Sequence, residues 1–285
     1  MDGKEKIKLE DAHILLLYLL IYFEKACEKA DIPWYASGGT CLGAVRHKGF
    51  IPWDDDIDID MPREYYSRFV QACEDILPAS IVLHTRESDP YFCQEYIKMC
   101  YRDEDKGYSD LSLDVFFYDE TNPKRKIGRA LQNFATTNLY YIKEYKVSRM
   151  GKGEKYIPHN PLKRCMVALF SHLSLRTLDR CLFGVMTVVK KDYGFWVNWG
   201  AAHSYQIATF EKSRLGKPIK LPFEQGNVYA AADTDYVLRK LYGDSYMKMP
   251  PENNRKTHDV ETIHSSLIDM DKIRNYVNDL KNWPI

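Results

Sequence analysis

Hydrophobic and polar positions follow two periods along this chain, and each predicts a different kind of element. From Leu9 to Ala30 the pattern is helical, with Glu10 and Asp11 near the start, where acids suit the helix dipole. Its apolar run, Ile14 to Phe23, is ten residues long, against the ~20 that a bilayer-spanning helix needs, and predicts a buried helix. Pro33 is expected to stop it. Arg63 to Leu77 predicts an amphipathic helix, with Tyr66, Phe69, Val70 and Cys73 at helical spacing, ending near Pro78. Ile81 to His84 and Tyr96 to Tyr101 read as short strands. Leu111 to Tyr118 alternates as a strand, with Asp114 on one face and Val115 and Phe117 on the other. Two long helical patterns follow, Ile127 to Met150 and Pro161 to Lys191, joined by a loop containing Gly151, Gly153 and Pro158. There is no internal repeat or low-complexity segment.

The densest chemistry lies from Trp34 to Pro62, with four glycines, one arginine, one lysine and five aspartates in 29 residues. Ser37-Gly38-Gly39-Thr40 has the composition of a loop whose backbone N–H groups meet phosphate oxygens, with a short helix expected from Cys41 to Arg46. An ordinary turn has the same composition. Next, Asp54, Asp56, Asp58 and Asp60 alternate around Ile57 and Ile59. Alternate side chains of a strand share a face about 6.6 Å apart. Ile57 and Ile59 are therefore expected in a core, with Asp56 and Asp58 converging on a cleft and Asp60 left open. Asp54 and Asp55 are expected to support the strand entry. So many like charges repel one another, and a divalent cation such as Mg²⁺, with Mn²⁺ as the alternative, relieves that repulsion. A solvated acidic loop is the rival reading. An EF-hand loop starting at Asp54 is excluded, because its sixth position is Ile59 instead of glycine and its twelfth is Tyr65 instead of glutamate. The Asp-x-Asp motif of nucleotide-sugar glycosyltransferases is a further rival, weakened by the Gly-Gly-Thr turn that ends only 16 residues before Asp56. Asp114 is the candidate third acid on a neighbouring strand, its rival role being an acid at a strand edge. Asp119 is expected in a turn. Lys98, in the preceding strand, is a candidate phosphate contact, with a solvated lysine as the alternative.

Three ordered runs carry a resemblance: Gly38-Gly39-Thr40, Leu42-Gly43-Ala44-Val45-Arg46-His47, and Gly49-Phe50-Ile51-Pro52-Trp53-Asp54-Asp55-Asp56-Ile57-Asp58-Ile59. Leu113-Asp114-Val115-Phe116 extends it. Together they closely resemble the LicD family, which contains phosphocholine transferases and is distantly related to fukutin-related ribitol-phosphate transferases. The resemblance implies an α/β nucleotidyltransferase-type mixed sheet flanked by helices. It implies transfer of phosphocholine from CDP-choline, or from a related CDP-linked donor, to a hydroxyl of a cell-surface glycan. A lipid-linked acceptor would belong to the same chemistry. Related readings are transfer from CDP-ribitol or CDP-glycerol, nucleotidyl transfer, and an inactive choline- or glycan-binding member. In the implied site Asp56, Asp58 and Asp114 are the catalytic and metal residues. Gly38, Gly39, Thr40, Arg46, Lys98, Trp53 and Glu224 contact substrate. A second block of resemblance runs through Gly216-Lys217-Pro218, Leu221-Pro222-Phe223-Glu224, Tyr242-Gly243-Asp244 and Arg255-Lys256-Thr257-His258, with Asp259 where relatives often carry a second histidine. A structural turn acid is the alternative role for Glu224, and a surface or packing histidine the alternative for His258.

Composition sharpens the picture in three places. The 285 residues carry 40 Lys and Arg against 40 Asp and Glu, so net charge makes no case for nucleic acid. The seven cysteines are odd in number and contain no Cys-x-x-Cys pair, so a disulfide framework or zinc site is not expected and a reducing cytoplasm is. From the charged, polar N-terminus a secretory leader is not expected. From Lys124 to Lys191, however, 15 Lys and Arg face three acids. A basic amphipathic helix there suits an anionic polymer or a peripheral contact at the inner membrane face, against a merely solvated basic face. The domain reading is a catalytic core over 1–123, a basic helical insertion over 124–209 and a closing part over 210–285. Trp196, Trp199 and Tyr205 are candidates for a quaternary-ammonium cage, with Trp53 and Tyr35 as alternatives and core packing as the rival.

Overall fold

The computed structural model describes residues 6–152, 156, 160–170, 172–201, 203–255, 257 and 261–283, apart from the side chains of 162, 163 and 166. Gly153, Pro158, Lys256, His258 and Asp259 lie outside the described residues. In chain order the first elements are α1 (Leu9–Lys29), β1 (Tyr35–Ala36), α2 (Gly38–Arg46), β2 (Ile57–Pro62), α3 (Tyr66–Ile76) and β3 (Ile81–His84). There follow β4 (Ile97–Asp103), β5 (Gly107–Glu120), α4 (Lys126–Arg149), α5 (Pro161–Phe170), α6 (Leu175–Met186), β6 (Phe195–Asn198) and β7 (Thr209–Glu211). The last are α7 (Lys212–Leu215), β8 (Ile219–Phe223), β9 (Gly226–Ala230), α8 (Thr234–Tyr242) and α9 (Met270–Asn278).

The chain divides into two compact units. The first joins residues 1–84, 96–118 and 212–285, so the two ends of the chain fold together. The second comprises residues 85–95 and 119–211. Of the three-part sequence reading, residues 1–84 and 96–118 of the catalytic core share the first unit with residues 212–285 of the closing part. Its mixed sheet has the order β1-β2-β5-β4-β3, with β2 and β5 parallel and the other pairs antiparallel.

Helix α1 is the central helix of this unit and packs on α3 and α9. Leu15, Leu16, Leu19, Leu20 and Phe23 are wholly buried in one core with Ile57, Ile59, Leu113 and Val115. Burying each such side chain stabilises the unit by roughly 1.5–3 kcal/mol. The helix ends before Pro33 is reached. Asp31 adopts a left-handed conformation (φ 50°), Ile32 N–H donates to the Cys27 carbonyl, and Asp31 N–H donates to that of Glu28. These are the bonds of a Schellman cap, with aspartate where glycine is usual.

The second unit holds α4, α5 and α6, with Ile142, Val167 and Leu178 at its core. The continuous helix expected from Pro161 to Lys191 is two helices, because Ser174 caps a new one by accepting from Thr177 N–H at 3.1 Å. One of the basic residues here is not solvated. Lys143 is fully buried, donates to the Phe92 carbonyl at 2.7 Å and pairs with Asp179. All seven cysteines are free thiols. Among the described residues, no helix is long and apolar enough to cross a membrane.

Candidate active site

The site is built on the parallel pair β2–β5. Their register sets Asp58 directly opposite Asp114, and the antiparallel register of β4 sets Lys98 opposite Asp114. Three charged side chains thus form a row across three strands, on the face opposite Ile57, Ile59 and Val115. Asp58 is crowded by protein yet retains some surface. Burial foremost, then Asp56, Asp114, Asp60 and Asp54, pushes its carboxyl well above the usual range. Asp114 is also pushed up by burial, while Lys98, Ser112 and Tyr96 pull it back. Ser112 Oγ donates to Asp114 Oδ1 at 2.6 Å, and Lys98 Nζ stands 3.7 Å from Asp114 Oδ2 and donates to Ser112 Oγ at 3.2 Å.

The glycine turn proves to be the first turn of α2, which begins at Gly38 instead of Cys41. A Cβ on Gly38 would stand 2.5 Å from Asp58 Oδ2, and one on Gly39 would overlap the carboxylate of Asp54. Gly38 also has φ +47°, a conformation that favours glycine. Thr40 Oγ1 accepts from the Asp58 N–H at 2.8 Å, and Ser37 N–H donates to the Asp58 carbonyl at 2.9 Å. The glycines therefore bring the positive end of a helix against Asp58 and Asp54. The sequence assigned this turn to phosphate; the structure brings carboxylates to it.

The remaining aspartates separate by role. The strand begins at Ile57, so Asp56 precedes it, near enough to Asp58 to raise its proton affinity. Asp60, left open by the sequence, is buried and accepts from Tyr118 Oη at 2.7 Å. Asp55 is buried as well. The Asp54 carbonyl is 2.7 Å from His13 Nε2, whose ring stacks on Phe50. Asp119, expected in a turn, is buried inside β5, which runs on to Glu120.

Several predicted substrate contacts are engaged with the fold. Glu224 Oε1 accepts from Phe50 N–H at 3.0 Å, and its own N–H donates to the Lys48 carbonyl at 2.8 Å. A Cβ on Gly49 would overlap its carboxyl. Glu224 thus latches the 48–50 loop that leads into the aspartates. Arg46 Nη1 donates to the carbonyls of Tyr246 (3.0 Å) and Lys248 (3.4 Å). Arg255 lies 5.0 Å over the Trp53 ring. Trp199 and Tyr205 pack together in a small cluster with Val197 and Ala208, and Trp196 Nε1 donates to Glu120 Oε1 at 3.1 Å. Tyr35 Oη donates to the Gly216 carbonyl at 2.8 Å.

Tyr242, to which the sequence assigned no role, ends α8, which packs on α2. Its phenol is pushed upward by burial first, then by Asp58 and Asp54. Its signal in the sequence was the Tyr-Gly-Asp run, without anything tying it to Asp58.

The hard carboxylate oxygens of Asp58 and Asp114, raised foremost by burial, are of the kind that a divalent cation takes. Among the described residues no three or more Asp, Glu, His or Cys side chains are arranged as a ready cage. Residues 31–148 match the model of the LicD/FKTN/FKRP nucleotidyltransferase domain, which contains this whole row. Over those residues the chain carries a domain similar to that of the LicD family. It is 29% identical over 285 residues to lipopolysaccharide cholinephosphotransferase LicD of Haemophilus influenzae, covering 91% of this chain and 99% of that protein. It is 30% identical over 106 residues to human ribitol-5-phosphate transferase FKTN, covering 36% of this chain and 21% of that protein. An uncharacterised Rickettsia typhi protein is 29% identical over 169 residues, covering 55% of this chain and 47% of that protein.

Proposed function

We propose that this chain transfers phosphocholine from CDP-choline to a hydroxyl of a cell-surface glycan, releasing CMP. The observation that carries the reading is the Asp58–Asp114 register inside a LicD-family domain, together with the near full-length likeness to a cholinephosphotransferase. Asp56 and Asp58 would hold Mg²⁺, with Asp114 beside them. When bound, the cation neutralises charge on the donor diphosphate and on the leaving CMP. Lys98, in the same row, would meet a phosphate oxygen. Asp114 is the group to take the acceptor hydroxyl's proton, since its raised proton affinity makes it a better base than an ordinary carboxylate. The first turn of α2 keeps Asp58 and Asp54 fixed while the donor binds.

The second unit supports a peripheral membrane contact, which suits a lipid-linked acceptor. Ile127, Leu131 and Phe134 lie on one face of α4 and are 79%, 64% and 64% exposed, next to the exposed Lys124, Arg125 and Lys126. A donor screen by mass tests the proposed activity. CDP-choline, CDP-ribitol, CDP-glycerol and UDP-sugars are each incubated with candidate glycans and Mg²⁺. Release of CMP from CDP-choline above the other donors is expected. Preference for CDP-ribitol would move the assignment toward the activity named for FKTN.

A further inference from the structure

A cavity lies in the first unit, and none of Asp54, Asp55, Asp56, Asp58, Asp60 and Asp114 lines it. It has a volume of about 480 Å³ and opens where the end of α1 meets the residues around β8 and β9. Trp34, Tyr65 and Tyr229 contribute aromatic walls, and Glu28 and Asp31 are exposed at its mouth. Trp34 meets Tyr229 edge to face at 5.3 Å. Glu24 of α1 also lines it. Glu24 is only 6% exposed, and its buried Oε2 has no hydrogen-bond partner. A buried polar atom left unsatisfied costs roughly 1–3 kcal/mol. Nothing in the catalytic reading uses this carboxyl.

The charges around it define what would satisfy it. Glu28 and Asp31 are acidic, and Lys217 lines the opposite side. Lys220 of β8 draws the Glu24 proton affinity down, and its ammonium lies 5.5 Å over the Tyr229 ring. With Glu24 ionised, three acids face two lysines, leaving one negative charge. Aromatic walls attract ammonium groups. We propose that this cavity binds a small organic ammonium, with Glu24 as its counter-charge and Trp34, Tyr65 and Tyr229 as its walls. The site is independent of the donor site at Asp58.

Burial first, then Glu28, lifts Glu24 to about 8, against the pull of Lys220. A bound cation favours the ionised carboxyl, so binding at pH 7 is expected to release about 0.9 proton, and affinity should rise up to about tenfold per pH unit below 8.

Titration calorimetry of the full chain with tetramethylammonium and methylammonium chlorides, at pH 6.5 and 8.5 and matched ionic strength, tests this. Saturable binding of at least one probe is expected, about tenfold or more tighter at pH 8.5. It should be lost in E24Q, weakened several-fold in E28Q and retained in D58N. Thermal unfolding of each variant confirms that it is folded. Failure of both probes to saturate, or unchanged affinity in both E24Q and E28Q, overturns the proposal. So does loss in D58N with retention in E24Q, which would put the cation at the aspartate site instead.

Discussion

Asp58 and Asp114 stand opposite each other on adjacent parallel strands, and Asp114 raises the electrostatic cost of ionising the Asp58 carboxyl. Relieving that repulsion and keeping the activity are therefore opposed. Asp114→Asn is isosteric and removes one charge. It is expected to raise the melting temperature at neutral pH while lowering CMP release about 10²–10⁴-fold. Thermal unfolding and a CMP assay on the same preparation check both halves. A variant that gains no stability, or keeps its turnover, contradicts the arrangement.

Gly38 is expected to tolerate no side chain. Gly38→Ala drives a methyl group into Asp58 Oδ2 and also strains a φ of +47°. The backbone contribution alone is roughly 1–2 kcal/mol. Denaturant unfolding should show at least that loss, with activity lost beyond what the unfolded fraction explains. Gly128→Ala on α4, whose Cβ would meet only Arg125 Cβ at 3.9 Å, is the control and should be close to neutral or slightly stabilising.

Glu24 makes a signed prediction about pH. Its folded value of about 8 lies above the ordinary 4.5, so the folded state holds a proton that the unfolded state has already lost. The stabilisation is fully present below about 4.5 and disappears as pH rises through about 8. Relative to wild type, Glu24→Gln should therefore gain ~1.4 kcal/mol per pH unit within that window and level off outside it. Urea unfolding at half-unit intervals, without added ammonium ligands, reads this slope. A flat difference from pH 5 to 8 contradicts the burial argument.

Much of the first unit was legible because its periods are clean. Ile57, Ile59 and Val115 alternate with Asp58 and Asp114, and burial on one face requires that pattern. Pairing was not legible, because no local property of Ile57–Pro62 or Gly107–Glu120 states that the two strands run parallel in that register. Tyr242 and Glu224 reach their places through packing of the distant C-terminal segment. Glu24 looked like one polar position in a helical pattern, since nothing nearby announces that its face is covered by β8 and β9. The break before Ser174 was hidden by an amphipathic pattern that continues in phase on both sides.

The exposed stripe on α4 predicts binding to anionic bilayers. Replacing Ile127, Leu131 and Phe134 together by serine should reduce co-sedimentation with phosphatidylglycerol vesicles several-fold and leave melting temperature nearly unchanged, since all three are exposed. Added salt should weaken the wild-type interaction, because its electrostatic part is screened. Equal co-sedimentation of wild type and variant would remove this face from the account.

The central claim is that Asp58 supports cation-assisted handling of a CDP-linked choline donor. Calorimetry of CDP-choline binding, with and without Mg²⁺, to wild type and Asp58→Asn tests it most directly. The account predicts saturable binding that needs Mg²⁺ in the wild type and is lost in the folded variant. Binding of equal strength without the cation, or binding unchanged in Asp58→Asn, would contradict it.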